Sequence, residues 1–566
     1  MIKLHGCSMS PGFGRGGAFV FGTTRPAVAH RRIDASAVDD EQRRLANALR
    51  LGAEELAHLQ EHLRGELGET ESAIFDAHLG LLKDPELVGR IAQYIEREQV
   101  NAEWAVESTI RELADALGSA DNVYLRERAA DIEDLGRRVM RHLLRHGQWP
   151  LAHIPAATVL VAQELFPLDL LEIDRAHLAG IVTERGGETG HAAILARALG
   201  IPAISGVTDA TRLVRSGASL LVDGSAGIVW VDPDTEVAER FARSTLGYEQ
   251  RLSAAISEER CEARTLDGVA IKLYANIGRA GEAEAVGRQA LDGVGLFRTE
   301  YLFLDEPRAP SFDKHRAIYQ NVAAQLGERP LVIRTLDLGG DKFPRFMASQ
   351  HEASQTLGLR GLRFSLTHGR ELFEIQLRAI LAVALQHRDV RILLPMVLGP
   401  GDFSAARAII DGLAQQAHLR DRPKVGAMIE TPAAVLTARE VLELADFASI
   451  GTNDLTQFML AADRNALGVS AEYSVLHPAV LRAIKSVADV AADVGKPVAV
   501  CGEAAADPAL AGLLIGLGIR ELSTSPSASA LVRQRVRAIS SRDATRQAAD
   551  ALQRRDAASV QALLLS

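Results

Sequence analysis

Cysteine is nearly absent. The three that occur in 566 residues, Cys7, Cys261 and Cys501, stand too far apart for any paired ligand spacing. This excludes a cysteine-built zinc module, and the low, scattered count fits a reducing cytosol. Aromatic residues are sparse at 5%, beside 47% hydrophobic and 24% charged residues, the balance of an ordinary soluble globular protein. Positive charge is not in excess: the formal net charge is -10 and the pI about 5.9. Bulk attraction to nucleic acid or acidic lipid is therefore excluded, while local basic pockets for an anionic metabolite are not. Long apolar runs are missing as well. Met1 to Phe19 has no uninterrupted signal-like core, and no stretch approaches the roughly 18 apolar residues of a membrane span. A soluble, cytoplasmic protein is expected.

What is present is length, and three textures in succession. A chain of 566 residues is too long for one core and implies about three domains. From Ala35 to His146 apolar residues recur at helical spacing, as in Leu45, Leu49, Leu56, Leu59 and Leu63. Asp84 and Pro85 mark a helix start, with Asp as cap and Pro in the first turn. This stretch predicts a bundle of about four helices. Short strands flank it: Gly17 to Phe21 before, then Thr158 to Ala162, Gly180 to Thr183, and the pair Leu220–Val222 and Ile228–Val231. The turn Asp223-Gly224-Ser225-Ala226-Gly227 makes that pair a hairpin. The simplest reading is one β/α domain (1–34 and 147–235) interrupted by the helical bundle (35–146). A charged, alanine-rich stretch, 236–264, then predicts a linking helix. From 265 to 566, strand and helix alternate. Eight strands are expected at 271–277, 294–297, 331–336, 362–364, 391–397, 424–429, 447–451 and 498–502, which predicts a (β/α)8 barrel.

Reactive residues fall at the C-terminal ends of five of those strands. Arg298 follows the second and Arg334 ends the third. Glu430 closes the sixth, Asn453 and Asp454 follow the seventh, and Cys501 ends the eighth. In this fold such ends converge on one mouth. Arginines offer planar, permanently charged donors to phosphate or carboxylate, and Arg464 adds another on the helix after the seventh strand. Glu430 and Asp454 are hard oxygen ligands suited to Mg2+ when substrate and water complete its shell. Singly, each has a plainer explanation: a salt bridge for the arginines, a helix cap for the acids, core packing for a cysteine. Their joint placement favours a phosphoryl-transfer site, where the work is positioning and charge neutralisation.

A second feature lies in the β/α domain. The strand Gly180 to Thr183 runs into Gly-Gly-Glu-Thr-Gly-His-Ala-Ala-Ile-Leu-Ala-Arg (186–197). Gly186 and Gly187 make a turn that puts His191 in the first turn of a helix. Backbone N–H groups, the helix dipole and the Thr189 hydroxyl stabilise negative charge there. A histidine so placed suits a phosphorylated covalent intermediate, although one near a helix start is more often a capping residue. Gly12, Gly14 and Gly17 spell the dinucleotide fingerprint, but they precede a strand instead of following one, so that reading fails. A glycine-rich loop near the histidine is expected instead.

These motifs resemble enzyme I of the phosphoenolpyruvate:sugar phosphotransferase system, across essentially the whole chain. Beside 186–197, the resemblance is carried by Gly-Leu-Phe-Arg-Thr-Glu (295–300), Ile-Arg-Thr-Leu-Asp-Leu-Gly-Gly-Asp-Lys (333–342) and Gly-Thr-Asn-Asp-Leu-Thr-Gln-Phe (451–458). Ala-Asp-Arg-Asn (462–465) and Cys-Gly-Glu (501–503) add to it. The resemblance implies a swivelling phosphohistidine domain with an inserted helical domain for the carrier protein HPr, then a phosphoenolpyruvate-binding and dimerising TIM barrel. Ala-Ile-Phe-Asp-Ala-His-Leu (73–79) looks like the start of the HPr-docking module. By resemblance, His191 is the phosphorylated residue and Arg298, Arg334, Asn453, Asp454 and Arg464 bind phosphoenolpyruvate. Glu430 and Asp454 hold Mg2+, and Cys501 protonates the enolate carbon. Arg360, in Gly-Leu-Arg-Gly-Leu-Arg (358–363), matches a further basic stretch. Two departures stand out. Gly190 occupies a position where the family usually has Ser or another small polar residue, and Ser354-Gln355-Thr356 replaces the usual Asn-Pro-like lead-in.

Pyruvate phosphate dikinase and phosphoenolpyruvate synthase relatives share the histidine and barrel, but they need an ATP-grasp domain for which helical 35–146 is too short. A non-catalytic scaffold is expected to lose metal or arginine positions, and none is lost. A nitrogen-regulatory enzyme I is expected to carry an added N-terminal sensory domain, so the sugar branch is favoured.

Overall fold

The computed structural model describes residues 1–21, 30–63, 79–80, 82, 84–118, 132, 135–136, 138–140, 142–144, 154–165, 173–185, 196, 200–304, 309–338, 357–462 and 473–565. The chain divides into two compact units, Met1–Glu249 and Gln250–Ser566.

The first unit holds an eight-stranded sheet in the order β1-β8-β7-β3-β4-β5-β6-β2. Its strands are β1 (Ile2–His5), β2 (Cys7–Ser10), β3 (Phe13–Phe21), β4 (Thr158–Ala162), β5 (Leu178–Thr183), β6 (Ala203–Ser205), β7 (Ser219–Asp223) and β8 (Ile228–Val231). The expected hairpin is present: β7 and β8 pair antiparallel from Leu220↔Val231 to Asp223↔Ile228. The central β4 is buried at every position, as its unbroken Thr-Val-Leu-Val-Ala run requires between two covered faces.

Two of the three fingerprint glycines lie in a strand and not in the expected loop, and Gly12 stands just before it. Gly14, Gly16 and Gly17 lie inside β3, which runs parallel to β4 and antiparallel to β7. A Cβ on Gly14 would stand 2.2 Å from the Ala179 carbonyl oxygen, and one on Gly16 1.9 Å from that of Ala157. Close backbone approach explains Gly14 and Gly16, and phosphate binding is not needed to account for them.

Between β3 and β4 the chain is mostly helical where described. Helices Val38–Leu63, Pro85–Glu98 and Ala102–Gly118 pack through Leu45, Leu49, Leu87, Ile91, Ile95, Val106 and Ile110, joined by Leu135, Val139 and Leu143. Asp84 caps its helix as expected, accepting from the Glu86 N–H at 2.8 Å ahead of Pro85. A long helix, Thr235–Ser257, covers most of the stretch 236–264 expected to be helical.

The second unit contains a closed, all-parallel barrel. Its strands are β9 (Lys272–Ile277), β10 (Val294–Arg298), β11 (Leu331–Arg334), β12 (Val390–Leu394), β13 (Lys424–Ile429), β14 (Phe447–Ile450), β15 (Val498–Val500) and β16 (Glu521–Thr524). One expected strand is wrong and one was missed. Residues 362–364 belong to a helix, Gly361–Leu366, that buries Leu362 and Phe364. A short apolar run reads equally well as strand or buried helix. The eighth strand is Glu-Leu-Ser-Thr, which closes the barrel between β15 and β9. Only Leu522 is apolar there, and the fully buried Ser523 and Thr524 hide it from a hydrophobicity search. Hence Glu430 follows the fifth barrel strand, Asn453 and Asp454 the sixth, and Cys501 the seventh.

Inside the barrel, Leu296, Val332, Leu393, Met428, Phe447 and Cys501 pack together as their own cluster. A separate, larger shell joins the strands to the surrounding helices through residues such as Phe297, Tyr319, Phe373 and Phe403. Among the described residues no helix is long and apolar enough to cross a membrane.

Candidate functional site at the barrel mouth

Arg298 and Arg334 are the last residues of β10 and β11. Glu430 directly follows β13, and Cys501 directly follows β15. Asn453 and Asp454 open the helix Thr452–Leu460 after β14. All six expected barrel residues in the described part therefore sit at C-terminal strand ends. Arg360, reached from β11 by a long connection, immediately precedes the helix Gly361–Leu366. His191 lies outside the described residues, with Gly186, Gly187, Thr189 and Gly190. So do Arg464, the 354–356 lead-in, and 73–78 of the expected docking segment.

A buried ionic network joins these ends. Arg334, 4% exposed, donates to Glu300 and lies 3.3 Å from Asp337 Oδ2. Arg360 is equally buried. Its Nε and Nη2 donate to the two oxygens of Asp337 at 3.1 and 3.2 Å, and its Nη1 and Nη2 donate to Asp454 at 3.2 and 3.0 Å. Burial opposes both guanidinium charges. The carboxylates of Glu300, Asp337 and Glu430 around Arg334, and of Asp337 and Asp454 around Arg360, more than offset it and hold both firmly charged. Arg298 differs, since its side chain makes no hydrogen bond or ion pair among the described residues.

Glu430 is 1% exposed. Its Oε1 accepts from the Met396 N–H at 2.7 Å, and Met396 adopts a left-handed φ of 53° to deliver it. Its Oε2 has no hydrogen-bond partner among the described residues. Burial first, then the Asp454 and Asp337 carboxylates, push this carboxyl far above the ordinary range, against Arg334 and Arg360. Glycine makes the fit possible: a Cβ on Gly451 would meet Glu430 Oε2 at 2.5 Å.

Cys501 is also buried, its Sγ 3.6 Å from the Ile450 carbonyl oxygen. Burial pushes the thiol up to about 11, with Glu430 adding to the rise and Ser449, Arg334 and Arg298 opposing it. At neutral pH the group is a protonated thiol. Asn276, on β9, donates to the Cys501 carbonyl oxygen and to that of Ser523, both at 2.9 Å, and pins this loop to the neighbouring strands. Asn453 accepts from the Glu503 N–H at 3.0 Å, which ties the loops after β14 and β15 together.

Residues 5–128, 154–227 and 254–541 match the family models described as the N-terminal, mobile and PEP-binding domains of PEP-utilising enzymes. The chain is 37% identical over 529 residues to the phosphoenolpyruvate-protein phosphotransferase of Enterococcus faecalis, covering 92% of each chain. It is 35% identical over 548 residues to that of Geobacillus stearothermophilus (96% of this chain, 94% of the relative). With that of Haemophilus influenzae it shares 33% identity over 576 residues (99% and 98%). The chain belongs to the phosphoenolpyruvate-protein phosphotransferase family.

In this phosphotransferase the residues singled out from sequence are only part of the buried network at the barrel mouth. Arg360 proves as deeply embedded as Arg334, although it sits far from any strand end. Glu300 and Asp337 were not singled out, yet Glu300 braces Arg334 and Asp337 braces both arginines. Their signal was present: Glu300 closes Gly-Leu-Phe-Arg-Thr-Glu, and Asp337 stands three residues after Arg334. Met396 acts through its backbone N–H, Asn276 through its side-chain amide and Ser523 through its carbonyl and hydroxyl oxygens, and nothing in their local sequence marks them.

Proposed function

We propose that the chain transfers the phosphoryl group of phosphoenolpyruvate to His191, releases pyruvate, and passes the group to a histidine of HPr as the first step of the sugar relay. The observation that carries this reading is the barrel mouth. There an unpaired Arg298 and two buried, carboxylate-braced arginines surround a protonated Cys501 thiol and a Glu430 oxygen without a partner.

Each group has work that its environment supports. Arg298, Arg334 and Arg360, with Arg464, bind the phosphate and carboxylate of the substrate, and Asn453 and Asp454 line the same site. In-line attack by His191 breaks the bond from phosphorus to the bridging oxygen. The electron pair stays on the enolate, which the arginines neutralise. Cys501 holds its proton at neutral pH and delivers it to the enolate carbon, giving pyruvate.

Glu430 and Asp454 fit Mg2+. A buried carboxylate oxygen without a donor, held among other carboxylates, lacks positive charge that a hard divalent cation supplies. Among the described residues no cluster of three or more His, Cys, Asp or Glu could hold a metal. Two carboxylates completed by substrate oxygens and water are what Mg2+ commonly takes. When bound, the ion neutralises charge on the phosphate and the departing enolate.

The working division is a swivelling phosphohistidine domain (1–34 and 147–235), an inserted HPr-docking domain (35–146), a linker (236–264) and a phosphoenolpyruvate-binding barrel (265–566) through which the cytosolic protein dimerises. One histidine must visit two sites, so the phosphohistidine domain swings between them. The test is incubation of purified protein with Mg2+ and labelled phosphoenolpyruvate. The expected product is an acid-labile, alkali-stable phosphoprotein that His191→Ala abolishes. Stoichiometric label surviving in that variant overturns the assignment.

A further inference from the structure

Behind the barrel mouth runs a second, uncharged network that the proposed chemistry does not use. Gln376, wholly buried on the helix Arg370–Ala384, has every amide position engaged. Its Oε1 accepts from the Leu336 N–H at 3.0 Å. Its Nε2 donates to Thr299 Oγ1 at 2.9 Å and to the Tyr319 hydroxyl at 3.0 Å. Thr299 passes its own proton to the Arg334 carbonyl oxygen at 2.7 Å. Tyr319 is paired with His315 Nδ1 at 3.0 Å.

The proton direction is fixed along the arm that reaches Arg334. Thr299 accepts from the Gln376 amide and donates to the Arg334 carbonyl, which can only accept. Burial keeps the His315 ring at the far end neutral, lowering it to about 4. The two backbone groups held by this relay flank Thr335: the carbonyl of Arg334 on one side and the N–H of Leu336 on the other. Here β11 has ended, and the strand ladder no longer satisfies every buried backbone group. Gln376 and Thr299 replace the ladder over the segment that carries Arg334 and Asp337.

We infer that Gln376 and Thr299 are positioning residues for substrate binding, fixing through backbone contacts where the Arg334 guanidinium meets the substrate phosphate. The inference rests on the proposed phosphoenolpyruvate reaction. The relay touches no reacting atom, so its loss loosens Arg334 without removing it. Because Arg334 binds phosphate in the ground state as well as in flight, the expected change is in KM more than in kcat.

The test uses the full chain with Thr299→Val, Thr299→Ser and Gln376→Met, each assayed for phosphoenolpyruvate-dependent labelling and checked by thermal melting. Val is isosteric with Thr and breaks the relay with little change of volume. It is expected to raise KM for phosphoenolpyruvate about fivefold or more with kcat within about threefold, and Ser is expected to restore KM to near wild type. Gln376→Met is expected to follow Val, and if it does not fold the Thr299 pair decides. An unchanged KM in folded Thr299→Val overturns the inference, as does a loss that Ser leaves unrepaired. Wild-type protein that phosphoenolpyruvate never labels would instead refute the proposed function, so the two failures are distinguishable.

Discussion

Arg360 grips Asp454 through both carboxylate oxygens, at 3.2 and 3.0 Å, while the same guanidinium grips both oxygens of Asp337. One of the two proposed metal ligands is thus covered by a protein cation. On the proposed reading, phosphate arriving with the substrate would offer Arg360 another anion and release Asp454 for the metal. Metal and substrate should therefore bind with positive cooperativity, each lowering the cost of the other.

Arg360→Met should accordingly bind Mn2+ more tightly in the absence of phosphoenolpyruvate, by about tenfold, while losing most labelling. Removing one partner of a buried pair leaves uncompensated carboxylates and costs about 3–5 kcal/mol, so the variant should melt early and recover on adding metal. Calorimetric titration with Mn2+, paired with melting curves, checks both. Weaker metal binding in the variant would show that Arg360 does not compete with the ion.

Gly451 gives a second handle on the same acid. In Gly451→Ala the new Cβ would lie 2.5 Å from Glu430 Oε2 and 3.1 Å from Glu430 Cβ. The side chain must move, and with it the oxygen that has no protein donor. Mn2+ affinity is expected to fall by about tenfold or more, with the barrel still folded because the displaced atoms belong to a side chain. Circular dichroism and the metal titration together decide it. Unaltered affinity removes Glu430 from the metal site.

The Cys501 thiol, pushed up to about 11 by burial, should ignore iodoacetamide at pH 7.5 while the exposed Cys7 and Cys261 react. The folded protein holds this proton above the ordinary thiol value of 9, whereas the unfolded chain has already released it. Stability should therefore fall as pH rises from about 9 toward 11. Cys501→Ala should retain phosphate binding but lower pyruvate formation by about 10²-fold or more. Peptide mapping after alkylation, and pyruvate release by the variant, are the measurements. Normal turnover in Cys501→Ala would reduce the residue to packing.

Much of this site was legible because its chemistry sits at strand ends, and a strand end is a local feature. Arg298 and Arg334 close short apolar runs, and Glu430 follows the Val-Gly-Ala-Met-Ile run of β13. Arg360 was harder. Its place beside Asp454 is set by a long connection and not by periodicity. The last barrel strand was illegible for a different reason: Ser523 and Thr524 are buried by barrel closure, a long-range event, and they carry no apolar signature. The glycines around Gly14 misled in the opposite direction. They read as a loop, while Gly14 and Gly16 are strand residues required by two carbonyl oxygens on other segments, visible only once the sheet is assembled.

The division of the chain at Glu249 supplies the last prediction. A fragment ending near Arg251 keeps the whole sheet and the helical region, and with them His191, but none of the barrel. Each part has its own apolar core: Val159, Val161, Val182, Ile204 and Val222 in the sheet, Leu45, Ile91, Ile95 and Val106 among the helices. The fragment is therefore expected to fold. Phosphoenolpyruvate with Mg2+ should not label it, because every proposed substrate arginine has been removed. Phospho-HPr should label it by the reverse transfer, which on the proposed reading needs only His191 and the helices of 35–146. The two reagents give independent readouts. Label from phosphoenolpyruvate would mean that the barrel is not the substrate domain. A folded fragment that phospho-HPr leaves unlabelled would mean that the carrier does not dock on residues 35–146.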